Sequence, residues 1–217
     1  MKKLTILLFS ILISYSSQSD ETVVTSYPAT RTLIDIGEGD FDKGFRHIVK
    51  MGSKGNSSAL LLFGMYVSEQ ENPEGAALYY TKSAKLNNPI AMRILGEGYL
   101  KGTFGDRDYN KARFWFEEAA KYGVVRCIFE LGIIYRDGLG VEKNLKTSYM
   151  WFTIAGILND PPGPEAYKIE ESSNEVTKSL SQSEIDDAKN LADNWIKDNL
   201  IKEFTIPDIP GPDDFND

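Results

Sequence analysis

The sequence predicts an all-α fold, an α/α solenoid built from stacked helical hairpins. Equivalent residue types recur at an interval of 36 residues, as in Gly96 and Gly132 or Trp115 and Trp151. Residue types that cap helices recur in the same register, and apolar residues within a unit follow helical i, i+4 spacing. A fixed period of this length, with one amphipathic hairpin in each period, is typical of helical-repeat proteins.

Composition supports a folded, non-enzymatic protein. The 217 residues are 41% hydrophobic, which is enough to build a buried core. With 24 Lys and Arg against 32 Asp and Glu, the net charge of −8 argues against a nucleic-acid partner. One Cys and one His exclude an intrachain disulfide and multi-His or thiolate metal cages, and they disfavour a His-dependent catalytic triad. We therefore expect no catalytic residue, no cofactor and no metal.

The first 19 residues have the pattern of a signal peptide. Met1-Lys2-Lys3 is basic, Leu4–Ile13 is apolar and Ser14–Ser19 is small and polar. Cleavage after Ser16 and cleavage after Ser19 both fit this pattern. The signal-peptide pattern predicts a periplasmic or secreted bacterial protein without an integral membrane segment after cleavage. The alternative is an N-terminus that stays anchored in the membrane. Residues 20–39 are expected to form an irregular segment.

The predicted helix boundaries share the repeat register. Residues that favour N-caps precede the second helix of each unit: Asp40, Asn72, Asp108 and Asn144. Residues that tolerate a left-handed backbone follow 15 positions later: Gly55, Asn87, Gly123 and Asn159. Repeats therefore extend over residues 40–159, as a half repeat at 40–55 and hairpins at 57–87, 89–123 and 125–159. Within the first helices, Leu95 and Tyr99 lie on one apolar stripe, and Leu131 and Tyr135 repeat it.

These residues carry a family resemblance. Leu95-Gly96, Tyr99 and Gly102, followed by Asp108, Ala112, Trp115 and the pair Ala119-Ala120, resemble the Sel-1-like repeat, which is related to the tetratricopeptide repeat. The last unit departs from it with Ser148 and Gly156 at small-residue positions. The first unit departs from it with Val67 at the Tyr position and Tyr79 at the Trp position. The resemblance implies a right-handed solenoid closed by a C-terminal capping helix, and a non-catalytic role in protein interactions.

The C-terminal quarter is predicted to hold two further helices. Pro161, Pro162 and Gly163 interrupt the chain before an additional helix at about 165–178. Ser181 and Glu184 have capping-box spacing and begin the capping helix, so that residues 160–200 complete the fold. Residues 201–217 form an acidic, Pro-containing tail that is expected to be disordered. Phe204–Pro207 at its start is either a short docking motif or part of a solubilising tail.

Isolated candidates for chemistry fit packing or capping roles better. Cys127 occupies the position of Ala91 and is expected in the core, and His47 occupies the position of Trp115. Asp106, Asp108 and Asn110 with Glu117 resemble a calcium loop, but Lys111 stands where that loop needs Gly. We expect Asp108 to cap a helix instead.

The candidate binding surface lies opposite the buried stripe of the first helices, which line the concave side of a solenoid. Apolar side chains at these positions, Phe129 in particular, are expected to lie off the core and mark a partner site. The predicted groove residues are Leu61, Met65, Arg93, Glu97, Leu100, Phe129, Ile133 and Arg136. In the alternative, the additional C-terminal helix or the segment before Asp40 fills this groove.

The leading functional hypothesis is a monomeric adaptor or scaffold that binds a protein or peptide along the groove. The resemblance also leaves two alternatives. One is a secreted, host-directed effector. The other is a β-lactam-related hydrolase, as suggested by disulfide-rich relatives of the repeat family, although this chain lacks their paired cysteines.

Overall fold

The computed structural model describes residues 41–159, 162–163 and 166–201, and all regular structure in this part of the chain is α-helical. The helices are α1 (Phe41–Ser53), α2 (Ser57–Glu69), α3 (Pro73–Lys85), α4 (Pro89–Lys101), α5 (Tyr109–Ala120), α6 (Val125–Asp137), α7 (Leu145–Leu158), α8 (Ala166–Thr177) and α9 (Gln182–Asn199). The predicted signal peptide, the segment 20–39 and residues 202–217 lie outside the described residues. No described helix combines the length and apolar content that crossing a membrane requires.

The second helices begin at the predicted capping residues. The Oδ1 atoms of Asn72, Asp108 and Asn144 each accept a hydrogen bond of 2.9 Å from a backbone N–H three residues later. Each bond satisfies one of the N–H groups that a helix leaves unpaired at its start. The fourth predicted cap, Asp40, lies outside the described residues. At α9, Ser181 and Glu184 form the predicted capping box.

Three of the four predicted stop residues have the expected backbone. Gly55, Asn87 and Gly123 have φ values of +82°, +62° and +70°, the left-handed conformation that turns a chain out of a helix. The prediction is wrong for Asn159, whose φ is −92°. Its side chain accepts a hydrogen bond from the backbone N–H of Gly163 at 3.0 Å, so it stabilises the following turn instead.

The described helices fall into two compact units. In the first unit, α2 packs against both α1 and α3. In the second, α4 pairs with α5 and α6 pairs with α7, while α5 packs on α6 and joins the two hairpins. The additional helices α8 and α9 both pack on α7.

Each complete hairpin is held by a glycine that faces an aromatic ring. A Cβ atom on Gly64 of α2 would lie 2.7 Å from Cε1 of Tyr80 on α3. In the second unit, Gly96 is covered by the ring of Phe116 and Gly132 by that of Phe152, and a Cβ there would overlap ring carbons. These rings are buried. The glycine therefore lets the two helix backbones approach each other closely.

A serine strengthens the last repeat where the family pattern has alanine. Ser148 of α7 is fully buried, and its hydroxyl donates a 2.8 Å hydrogen bond to the carbonyl oxygen of Gly132 on α6. The departure at this small-residue position thus adds a buried hydrogen bond between the two helices of the hairpin.

The predicted capping helix α9 lies along α7 and ends beside α5. The rings of Trp195 and Trp151 meet edge to face, with centroids 5.0 Å apart. Further along, the backbone N–H of Ile201 donates a 2.7 Å hydrogen bond to the carbonyl oxygen of Lys121, just after α5. Through these contacts α9 covers the outer side of the last repeat and reaches back to the preceding one.

We expect Gly132→Ala to lower the free energy of unfolding by about 1 to 3 kcal/mol, since the buried Phe152 ring must shift to admit a methyl group. Gly156→Ala is the matched control, because a Cβ there meets only Ile169 Cγ2, at 4.0 Å. That helical, exposed position should tolerate alanine or gain up to about 1 kcal/mol. Urea unfolding measures both variants, and equal stability of the two would contradict the proposed packing.

Candidate functional site

The predicted groove residues of the second unit lie on α4 and α6. The Leu95 and Leu131 side chains of these helices are fully buried, as predicted, and the glycine–aromatic contacts hold each helix against its partner. What remains partly exposed is a strip along each helix. We call the strip formed by Arg93, Glu97, Leu100, Ile133 and Arg136 the groove face; all five residues are half-buried.

On α4 the groove face is organised by ion pairs. Arg93 Nη1 lies 2.8 Å from Glu97 Oε1, and the two side chains are only 19% and 22% exposed. Lys101 Nζ lies 3.9 Å from the other carboxylate oxygen of Glu97. Spacing of four residues places all three on one side of the helix. The partly buried position shields the Arg93–Glu97 pair from solvent, so the pair holds these side chains in a defined arrangement.

A second ion pair on α6 faces the first. Arg126 Nε lies 3.1 Å from Glu130 Oε1, and the Glu130 side chain is 13% exposed. Burial raises the pKa of Glu130; the charge of Arg126 opposes that shift, and the charge of Glu97 on α4 adds to it. The carboxylates of neighbouring helices therefore act on each other across this surface. Sequence reasoning missed Arg126 and Glu130, although their i, i+4 spacing was visible.

Arg136 connects α6 with the additional helix α8. Its guanidinium contacts Asp137 at 2.7 Å and Glu175 of α8 at 3.5 Å. Both carboxylates raise the pKa of Arg136, and the hydrogen bond that Arg136 donates to Asp137 has the largest effect. The Glu175 side chain of α8 thus reaches the α6 end of the groove face, while the helix itself packs on α7. The alternative in which this helix fills the groove stays a prediction. The segment before Asp40 lies outside the described residues.

Two of the candidates for chemistry, Cys127 and Asp108, have structural roles. Cys127 is fully buried, as predicted, and burial raises the pKa of its thiol. The carboxylate of Asp108 accepts the backbone N–H of Lys111, which lowers its pKa and confirms its role as a cap. The described residues contain no group of three or more His, Cys, Asp or Glu placed to hold a metal ion. The side chain of His47 is outside the described part.

Comparison with known proteins assigns the repeats. The family model for the Sel1 repeat matches residues 49–88, 89–123 and 125–160, which together make up half of the chain. The chain belongs to the Sel1 repeat family. The second and third matched segments end within one residue of the boundaries given by the 36-residue period.

Sel1-repeat relatives and structures agree with the helical-repeat fold. The chain is 32% identical over 113 residues to the ERAD-associated E3 ubiquitin-protein ligase component HRD3B of Arabidopsis thaliana, covering 50% of this chain and 18% of the relative. It is 28% identical over 126 residues to protein sel-1 homolog 2 of Mus musculus, covering 58% and 16%. The chain therefore spans less than a fifth of the length of these curated relatives.

Two crystal structures show the same fold. One is a protective antigen of uropathogenic Escherichia coli strains with an SLR fold, at a TM-score of 0.62 and 25% identity, over 72% of this chain and 33% of the antigen. The other is a Sel1 repeat protein of Oxalobacter formigenes, at a TM-score of 0.51 and 17% identity, over 89% of this chain and 99% of that one. The predicted all-α repeat fold is confirmed.

Two predicted groove residues of this Sel1-repeat chain are buried in its core instead. Phe129 is 8% exposed, and its ring centroid lies 5.6 Å from that of Phe152. Leu61 is also buried. The physical reason is that α6 packs against α5 as well as α7, and α2 against α1 as well as α3, so two sides of each helix are covered. Met65, in the first unit, stays half-buried.

We expect Phe129→Ala to destabilise the protein by about 3 kcal/mol or more, because it removes a buried ring and leaves a cavity. The loss follows from the buried position of Phe129, which differs from the predicted position off the core. Ile133→Ala, one turn along the same helix and half-buried, is the matched control and should cost less. Thermal or urea unfolding measures both, and a Phe129→Ala protein as stable as wild type would overturn the core assignment.

The raised pKa of Glu130 predicts a pH-dependent stability. A proton binds this carboxylate more tightly in the folded than in the unfolded state, so its contribution to the free energy of unfolding falls as pH rises from the ordinary value of 4.5 through the raised pKa. Glu130→Gln removes that contribution. As the pH is raised from about 4 to about 7, the free energy of unfolding of the variant should therefore increase relative to that of wild type. Urea unfolding of both proteins at the two pH values tests this prediction. A difference in the free energy of unfolding between variant and wild type that is the same at both pH values would contradict it.

Proposed function

We propose that this Sel1-repeat protein is a non-catalytic adaptor that binds a protein or peptide through the groove face of α4 and α6. The observation that carries the proposal is the mixed character of that face. Half-buried ion pairs lie beside the apolar side chains of Leu100 and Ile133, on helices whose Leu95 and Leu131 side chains are fully buried. Rigid helices with such a strip offer a preorganised surface, which lowers the entropic cost of binding.

The chemistry of the groove face favours reversible recognition. Leu100 and Ile133 supply apolar contact area, and Arg93 and Glu97 supply charges of both signs at fixed positions. Charges arranged in this way contribute mainly to specificity and to the rate of association, whereas apolar anchors contribute most of the affinity. We infer a partner segment with apolar side chains flanked by charged residues. The binding unit is a monomer.

The names of similar proteins support an adaptor role. HRD3B is described as a component of an E3 ubiquitin-protein ligase, and a component acts as one part of an assembly. The signal-peptide pattern at residues 1–19 supports a place in the periplasm or outside the cell. We propose that the partner is met in that compartment.

Site-specific photo-crosslinking in living cells tests the proposal. A photoreactive residue is placed at position 100 or 133, both half-buried and apolar on the groove face. The control position is 118, on α5, where Glu118 pairs with Lys121 at 2.6 Å. We expect mass spectrometry to identify the same partner from positions 100 and 133 and to miss it from position 118. Equal capture from all three, or crosslinks only within this chain, would contradict the groove-face proposal.

A further inference from the structure

The described part of the chain ends at a defined point on α5. After α9, Leu200 lies against Gly123, and the backbone N–H of Ile201 is bonded to the carbonyl oxygen of Lys121 at 2.7 Å. Ile201, from which the segment 202–217 continues, therefore lies beside the C-terminal end of α5. This anchoring limits which surfaces the first residues of that segment can reach.

An exposed aromatic ring lies within that reach. Phe114 of α5 is 50% exposed, and its ring meets the half-buried ring of Trp115 edge to face, with centroids 4.9 Å apart. No packing role among the described helices requires so large an apolar side chain to face outwards. On α5, residues 114, 118 and 121 share one side, because seven residues make nearly two helical turns.

Phe114 and Phe204 lie at similar distances along the chain from the hydrogen bond that joins Ile201 to Lys121. Phe114 precedes Lys121 by seven residues, which is about 10 Å along a helix. Phe204 follows Ile201 by three residues, which in an extended chain is also about 10 Å. A segment that turned back along α5 from Ile201 would bring the Phe204 ring level with Phe114.

We propose that residues 202–204 of the chain dock on the outer face of α5, with Phe204 packed against Phe114 and Trp115. The occupant is this chain's own C-terminal segment, because its starting point is already fixed at Lys121. A tethered segment acts at a high effective concentration, so even a small apolar contact is populated. This docking surface lies on α5, apart from the groove face of α4 and α6, and it does not depend on the proposed function.

Fluorine NMR of the full chain labelled with 5-fluorotryptophan tests the docking. The three tryptophans give separate signals, and Trp115→Phe assigns the one from Trp115. We expect Phe204→Ala to shift the Trp115 signal while those of Trp151 and Trp195 stay in place. Phe215→Ala, a matched change near the end of the same segment, should leave all three signals unmoved.

The reciprocal variant keeps the test independent of any effect on folding. Phe114→Ala alters an exposed side chain, and it should shift the backbone amide signals of residues 202–204 but not those of 213–217. If Phe204→Ala leaves the Trp115 signal unchanged, the docking proposal is wrong. It is also wrong if the Trp115 signal moves with protein concentration in the wild type, since a second copy then covers Phe114.

Discussion

The close approach of a glycine on one helix to a buried aromatic ring on the next is the contact on which each hairpin depends. Gly64 with Tyr80, Gly96 with Phe116 and Gly132 with Phe152 repeat it. Because the ring fills the space where a Cβ would be, it sets both the spacing and the rotation of the paired helices. The side chains that each first helix leaves partly exposed follow from that rotation, so the packing contact also determines the groove face.

The same packing explains why the groove face is narrow and charged. A first helix such as α6 is covered by two neighbouring helices, which leaves only a strip for solvent. Apolar residues at the margin of the strip, such as Phe129, join the core. Charged residues there lose part of their hydration and are stabilised by pairing, as Arg93 does with Glu97. A surface of fixed, paired charges with a few apolar side chains suits selective protein recognition.

Repeat-level features could be predicted from sequence because they depend on local chemistry. Asn72, Asp108 and Asn144 cap helices through bonds to residues three positions away, and their residue type together with the repeat period located them. The site was harder to predict. Phe129 was misplaced because a helical wheel considers one packing partner, whereas α6 has two. The aromatic rings opposite the glycines were also missed, since Phe116 and Phe152 follow the more conspicuous Trp115 and Trp151 by one residue.

A double-mutant cycle between Gly132→Ala and Phe152→Leu tests the central contact most directly. If the ring opposes a Cβ at position 132, the smaller leucine makes room for it. Gly132→Ala should then cost at least about 1 kcal/mol less in the Phe152→Leu background than in the wild type. Strictly additive free energies of unfolding would show that the two residues do not interact, and would contradict the account of how the hairpins are held together.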